Sequence, residues 1–320
     1  MIEHPHQVVE AAYQLLLNRE PDSAGLKHWS SALAQGLPTI DFVRAVLASA
    51  EFRSRVPSSD APTAQGDVDL IIPVQSAQLR VPASDLSLVP HLLRHRSWEP
   101  HITSWLARTL RPEHVFVDVG ANIGYFTVLC APLVSRVIAF EPGSSSFRYC
   151  RENLKLNDVQ NVELHPYGLW HENATLRIKR DDSSLMTAAI DRSGSTASGE
   201  TIRSVAFDEF AASHLQLSRL DVVKMDIEGA ELSALRGMTR TLARFRPAIV
   251  MELNRPALAA LGGTVDDVWS LLTGLSYQIR AFEAWDARDP APVATLNELK
   301  TRCPDDTLID ILAVPPSART

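Results

Sequence analysis

Two short stretches carry residues of the right type and spacing for cofactor chemistry. In the first, Val115 to Thr127, an apolar run ends near Asp118 and turns through Gly120, Asn122 and Gly124 into an apolar-periodic segment. In the second, Val137 to Pro142, another apolar run ends in Glu141, about 20 residues beyond the first glycine. A strand, a glycine turn and a helix, followed by a strand that ends in a carboxylate, is how open α/β proteins hold a nucleoside. Gly120 has no Cβ to obstruct a sharp strand-to-helix turn, and Gly124 lets the helix begin tight against the sheet. Glu141 can accept hydrogen bonds from two ribose hydroxyls. The pattern is Gly-x-Asn-x-Gly, without the three-glycine fingerprint of dinucleotide sites. Physics alone does not separate NAD from S-adenosylmethionine at this point, because both carry an adenosine ribose.

The stretches DVGANIGYFT and AFEP, followed by DVVKMDIEGAE at Asp221 to Glu231, resemble the FkbM-type S-adenosylmethionine-dependent methyltransferases, over roughly Val68 to Pro315. The resemblance implies a Rossmann-like class I methyltransferase fold, α/β with a mainly parallel seven-stranded sheet and an antiparallel last strand. It implies S-adenosyl-L-methionine as cofactor, with Asp118, Gly120, Asn122, Gly124, Glu141 and Asp226 around it. Trp98-Glu99-Pro100 is similar to an aromatic-glutamate-proline pattern of the family, which would bring Glu99 near the methionine end. A helix-start carboxylate favoured by the dipole is the competing account of Glu99. The bland alternative for the whole is an α/β domain whose glycine turn binds nothing.

Methyl transfer from a sulfonium is an in-line displacement, so the enzyme's work is to hold an acceptor lone pair behind the methyl carbon. An alcohol acceptor must also lose its proton, and a nearby base helps. Lys224, Asp226 and Glu228 alternate at the end of an apolar run. Extended backbone persisting to Glu228 would place all three on one side of the strand. Asp226 is the expected base or acceptor-orienting group. Lys224 and Glu228 either tune it or form a structural ion pair. Glu252, at the end of the next apolar run, extends this acidic rim. Asp226, Glu228 and Glu252 could hold a divalent cation through oxygen, but strand-end carboxylates orient substrates without metal just as readily, and no metal is expected. His91 and His95 share a helical face without a third ligand, and read as ordinary surface histidines. Asp182-Ser183-Ser184-Leu185-Met186 could touch cofactor or acceptor, or simply solvate a loop.

These groups need a sheet to position them. Core strands are expected near 114–119, 136–141, 161–165, 220–226, 247–253, 276–281 and 307–314, with helices in most gaps. Short strands are expected at Val68 to Ile72 and Ala77 to Val81, and a helix at Ser97 to Leu110. Trp170 to Phe210 is a long insertion in which Ala174 to Lys179 alternates like a half-exposed strand, and such an insertion can cover a site. Ser193 to Gly199 is a low-complexity patch.

Residues 1–55 read as a separate helical unit, with helix starts at Asp22 or Ser23 and at Thr39. LLLNREPDSAGLKHW, closed by ASAEF, resembles the small DUF4214 module, which accompanies bacterial surface-layer proteins and glycan-modifying enzymes. Asn18, Arg19, Pro21, Asp22, Gly25 and Trp29 carry that resemblance, either as turn-builders or as ligand contacts. Residues 56–67 read as a Pro/Ser/Ala linker, and residues 68–320 as the methyltransferase domain.

At 320 residues the chain can bury a full α/β core and carry a small extra domain. Its formal charge of −7 argues against nucleic acid as a partner. No signal peptide or membrane span is evident. The three cysteines lack disulfide or zinc spacing, so a cytoplasmic protein is expected, at most peripheral to the inner face of the membrane. The leading expectation is an O-methyltransferase acting on a hydroxyl of a sugar, glycan or glycan precursor, with surface-polysaccharide assembly proteins as partners through the amino-terminal module. Methylation of a small natural product and a non-catalytic glycan-binding protein on a methyltransferase scaffold are the alternatives.

Overall fold

The apolar runs of residues 115–314 form the strands of one open sheet, because each is too short for a buried helix and rich in Val, Ile and Phe. The computed structural model describes residues 5–47, 49–51, 69–83, 85, 87–180, 188–190, 199–284 and 289–315. The expected linker at 56–67, the loop at 182–186 and residues 193–198 of the low-complexity patch lie outside the described residues. The chain divides into two compact units, Met1–Trp98 and Glu99–Thr320.

The first unit contains α1 (Pro5–Leu17), α2 (Ser23–Ala34), α3 (Thr39–Leu47), the antiparallel hairpin of β1 (Asp69–Val74) and β2 (Ala77–Pro82), and α4 (Leu88–His95). Asp22 caps α2 by accepting from Gly25 N at 2.7 Å. Arg19 pairs with both carboxylate oxygens of Glu51 at 2.7 Å and lies over the Tyr13 ring, which joins the α1–α2 turn to the end of the helical segment. These residues of the DUF4214-like pattern thus have architectural work to do. α4 packs against α1, α3 and β1.

The second unit begins with α5 (Pro100–Thr109), three residues later than the helix expected from Ser97, because Glu99 takes a left-handed φ of 41°. There follow β3 (Val115–Val119), α6 (Tyr125–Cys130), β4 (Arg136–Phe140), α7 (Ser144–Leu156), β5 (Val162–His165), β6 (Gly168–Leu169), β7 (Ala174–Arg180), β8 (Ala188–Ile190), β9 (Glu200–Val205), α8 (Phe207–His214), β10 (Val222–Met225), α9 (Glu231–Arg236) and α10 (Thr239–Phe245). The chain then continues through β11 (Ala248–Asn254), α11 (Arg255–Ala260), α12 (Val265–Gly274), β12 (Gln278–Ala281), β13 (Ala291–Val293), α13 (Leu296–Arg302) and β14 (Leu308–Val314).

The main sheet has the order β13-β12-β14-β11-β10-β3-β4-β5. Strands β11, β10, β3, β4 and β5 are mutually parallel, and β14 runs antiparallel between β11 and β12. The seven expected strands are present, with β13 added as a short edge strand. Every residue of β3 and β10 is buried, as strands covered on both faces require. The order reverses between β3 and β10, which makes their carboxyl ends the place for a ligand crevice. Within the insertion the chain forms a second sheet of order β6-β9-β7-β8, where sequence alternation identified β7 alone. No described helix is long and apolar enough to cross a membrane.

Candidate functional site

Three strand ends are laced together by main-chain hydrogen bonds at the switch point. Gly120 N and Ala121 N both donate to Phe140 O, at 3.0 and 2.9 Å, and Asp226 N donates to Val119 O at 3.1 Å. The turn after β3 is left-handed at Gly120, Asn122 and Gly124, with φ of 81°, 51° and 89°, so glycine at two of the three positions avoids the Cβ penalty. The close approach those glycines permit is to protein. A Cβ on Gly120 would overlap the Asp226 carbonyl oxygen, and one on Gly124 would come within 2.8 Å of Cys150 Sγ.

Glu141 follows β4 and is 8% exposed. Its Oε2 accepts from Asn122 N at 2.9 Å and its Oε1 from Gly143 N at 2.8 Å. The backbone thereby fixes the carboxylate at the strand end, and an ionised carboxylate, which accepts from hydroxyls, fits a ribose diol.

On the other side of the crevice, Lys224 lies beside Asp118 in the β10–β3 register. Its Nζ is 3.0 Å from Asp226 Oδ2 and 4.6 Å from the centroid of Phe126. Lys224 is 4% exposed. Burial works against its charge, but Asp226, Glu99 and Asp118 outweigh that and hold its pKa above the ordinary lysine value. Asp118, 1% exposed, accepts from Thr127 Oγ1 at 2.5 Å through Oδ2. Burial raises its pKa and Lys224 opposes the rise. Glu99 makes no side-chain cap to α5; its charge acts on Lys224 instead.

Strand geometry ends at Met225, so the alternation expected to carry Glu228 onto the same side as Asp226 does not persist. Glu228 turns left-handed at φ 52°, followed by Gly229 at φ 96°, where a Cβ would press on the main chain of Ala257. The turn nevertheless keeps Glu228 within charge range of Asp226. Burial first, then Asp226, raise its pKa to about 7, against the lowering effect of Lys224. Glu252 is raised to about 9 by burial and by Asp226, Glu228, Asp310 and Glu231. Glu231, 1% exposed, is raised to about 8 by burial although its Oε1 accepts from Ile227 N at 2.9 Å. Like charges crowded in a poorly solvated site cannot all ionise, so protons stay on this cluster into the neutral range. Among the described residues no group of three or more His, Cys, Asp or Glu is arranged to hold a metal ion.

Sequence reasoning missed the His101–Asp310 pair, joined at 2.7 Å between Nε2 and Oδ2. Asp310 faces Glu252 in the β11–β14 register, which brings α5 to the acidic end of the sheet. The signal available was an acid inside the apolar run TLIDILAVP. Glu231 was visible inside the third motif but had no role there. His91 and His95 lie in the first unit with ring centroids 4.6 Å apart, and burial lowers the His91 pKa to about 4.

Comparison with known proteins agrees with this layout. Residues 118–279 match the family model of the methyltransferase FkbM domain, and residues 4–56 match that of DUF4214, a domain of unknown function. The chain is 29% identical over 142 residues to Methyltransferase 1 of Beauveria bassiana, covering 38% of this chain and 57% of that one. It is 30% identical over 158 residues to the hexuronic acid methyltransferase AglP of Haloferax volcanii, covering 49% of this chain and 64% of that one. The chain thus spans less than two thirds of the length of either relative. A crystal structure of a methyltransferase FkbM from Methylobacillus flagellatus superposes with a TM-score of 0.38 at 16% identity, covering 72% of this chain and 54% of that one.

Proposed function

The chain belongs to the FkbM methyltransferase family, whose cofactor is S-adenosylmethionine, and from that premise we propose that it is an O-methyltransferase acting on a hydroxyl of a sugar, glycan or glycan precursor. One observation carries the reading: Glu141, fixed by Asn122 N and Gly143 N, follows β4 on one side of β3, and the Lys224–Asp226 pair ends β10 on the other. A ribose-binding acid and an acceptor-orienting acid thus stand at the ends of the two strands that flank β3 at one switch point.

The cofactor supplies an electrophilic methyl group on a sulfonium. Glu141 takes the ribose hydroxyls, Asn122 and the glycines shape the turn beneath it, and Glu99 serves the methionine end. Lys224, buried and strongly cationic, holds Asp226 through Oδ2, and Asp226 orients the acceptor hydroxyl. With that oxygen engaged by the ammonium, the proton passes to Glu228, whose pKa of about 7 suits general-base work at neutral pH. Glu252, held protonated into the neutral range, donates a hydrogen bond to the acceptor. Asp118 acts through Lys224 and Thr127.

The sugar assignment is supported by the relative named a hexuronic acid methyltransferase and by the DUF4214 match at residues 4–56. Residues 1–55 would recruit the glycan or its assembly proteins. The three buried free cysteines fit a reducing cytoplasm. Calorimetric titration with S-adenosylhomocysteine tests the cofactor site. Incubation with methyl-labelled S-adenosylmethionine and cell-envelope sugar precursors tests the acceptor: label in a sugar methyl ether supports the reading, and label found only in other products sinks it.

A further inference from the structure

Between the second sheet and α8 runs a groove of about 590 Å³, within the size range of ligand sites. Its walls include Tyr167, Asn173, Arg203, Glu209, Ser213 and His214, and none of these belongs to the methyl-transfer centre. Arg203 Cζ lies 5.1 Å from the centroid of the Tyr167 ring. His214 stacks on Phe210 at 4.6 Å and 11°, which closes the apolar depth, and Phe210 is buried. Asn173 Nδ2 donates to Glu209 Oε2 at 2.9 Å, setting an amide and a carboxylate side by side on the rim.

These surfaces select a ligand by chemistry. At the groove, Ser204 of β9 is paired on both sides, with β6 and with β7, so it offers no main-chain edge to an added peptide strand. His214 closes the apolar depth against a large hydrophobic anchor. The His214 ring, stacked on Phe210 by one face, has hydroxyl, amide and carboxylate groups beside it in the groove wall, which suits a polyol ring whose C–H face lies on the aromatic while its hydroxyls are hydrogen-bonded. Among the described residues the Arg203 guanidinium makes no hydrogen bond or ion pair, and a guanidinium is shaped to take a carboxylate in two parallel bonds.

Strand β9 links the groove wall to the cofactor end of the fold. β9 begins at Glu200, whose Oε1 accepts from Ser144 N at 2.7 Å, three residues beyond Glu141. At about 3.3 Å per strand residue, Arg203 lies about 10 Å further along. We infer that this groove is a second saccharide subsite, which takes an acidic sugar unit of an extended acceptor at a distance from the methyl-transfer centre. The link to an acceptor rests on the function proposed above; the binding of a sugar acid does not.

Titration of the full chain with tetragalacturonate and, separately, with neutral cellotetraose tests it. Wild type should bind tetragalacturonate at least about ten-fold more tightly than cellotetraose, a difference of about 1.4 kcal/mol. Arg203→Gln should remove that preference, and Ser213→Trp, which fills the groove from an exposed position, should abolish binding of both. S-adenosylhomocysteine affinity should be unchanged in the two variants. Absence of tetragalacturonate binding, equal affinity for the two sugars, or binding retained in both variants overturns the inference. Failure of wild type to bind S-adenosylhomocysteine would instead strike the methyltransferase assignment, and the saccharide titration would still decide the groove.

Discussion

Gly120 sits against the main chain of Asp226, so closely that a Cβ on it would overlap the Asp226 carbonyl oxygen and approach Ile227 Cγ2 to 2.9 Å. The turn after β3 and the turn after β10 therefore move together. Gly120→Ala should cost roughly 1 to 3 kcal/mol from overpacking and left-handed strain, and weaken S-adenosylhomocysteine binding and turnover at once. Denaturant titration alongside calorimetry checks it; a stable variant with normal turnover would separate the two turns.

Glu141→Ala should weaken cofactor binding about 100-fold, since charged hydrogen bonds contribute about 1.5 to 3 kcal/mol each. It should also lower stability, because Asn122 N and Gly143 N lose their acceptor. Unchanged affinity for S-adenosylhomocysteine would remove Glu141 from the ribose site.

With Glu228 at a pKa of about 7 and Glu252 at about 9, kcat/KM should rise with pH through about 7 and fall again through about 9, where Glu252 loses the proton it donates. Glu228→Gln should abolish the rise and cut turnover roughly 100-fold or more. Asp226→Asn should keep cofactor binding, lower turnover and move the rise to lower pH, because the Asp226 charge helps to raise Glu228. A profile that still rises through about 7 in Glu228→Gln places the base elsewhere.

Burial raises Glu228, Glu231 and Glu252 above the ordinary glutamate value of 4.5, to about 7, 8 and 9. The folded chain then binds more protons than the unfolded chain above pH 4.5, so stability from these groups is full below that pH. It declines as pH rises through the folded values, over the window of about 4.5 to 9. Thermal unfolding followed from about pH 5 to about pH 9 should show that decline, and Glu252→Gln should flatten it. Equal slopes in the two proteins would mean that Glu252 ionises normally.

Residues 99–320 should fold and bind cofactor without the first unit, because the two compact units meet at the boundary between Trp98 and Glu99 in the chain. A chain beginning at Asp67 should be less stable than one beginning at Glu99, since it keeps α4 but strips α1 and α3 from it. Solubility and S-adenosylhomocysteine affinity of the two truncations compare these outcomes directly.

The antiparallel last strand was implied by the family resemblance, whereas the sequence by itself determined the strand ends, the glycine turn and the carboxylate at Glu141. Each is written in local order: apolar runs of strand length, glycine where the backbone turns left-handed, and one acid just past an apolar run. What only the tertiary structure decided is non-local. His101 and Asp310, 209 residues apart, meet because α5 and β14 begin at the same edge of the crevice, and no pattern along the chain encodes that meeting. The extended run through Lys224, Asp226 and Glu228 looked uniform in sequence. It breaks at Asp226 because Gly229 must pass against the main chain of Ala257. The acidities follow the same rule, since a glutamate's residue type fixes its value in water while its desolvation and charged neighbours are set by packing. Gly120 joins the two levels: its type announced a turn, and only the fold showed that the group it makes room for is Asp226.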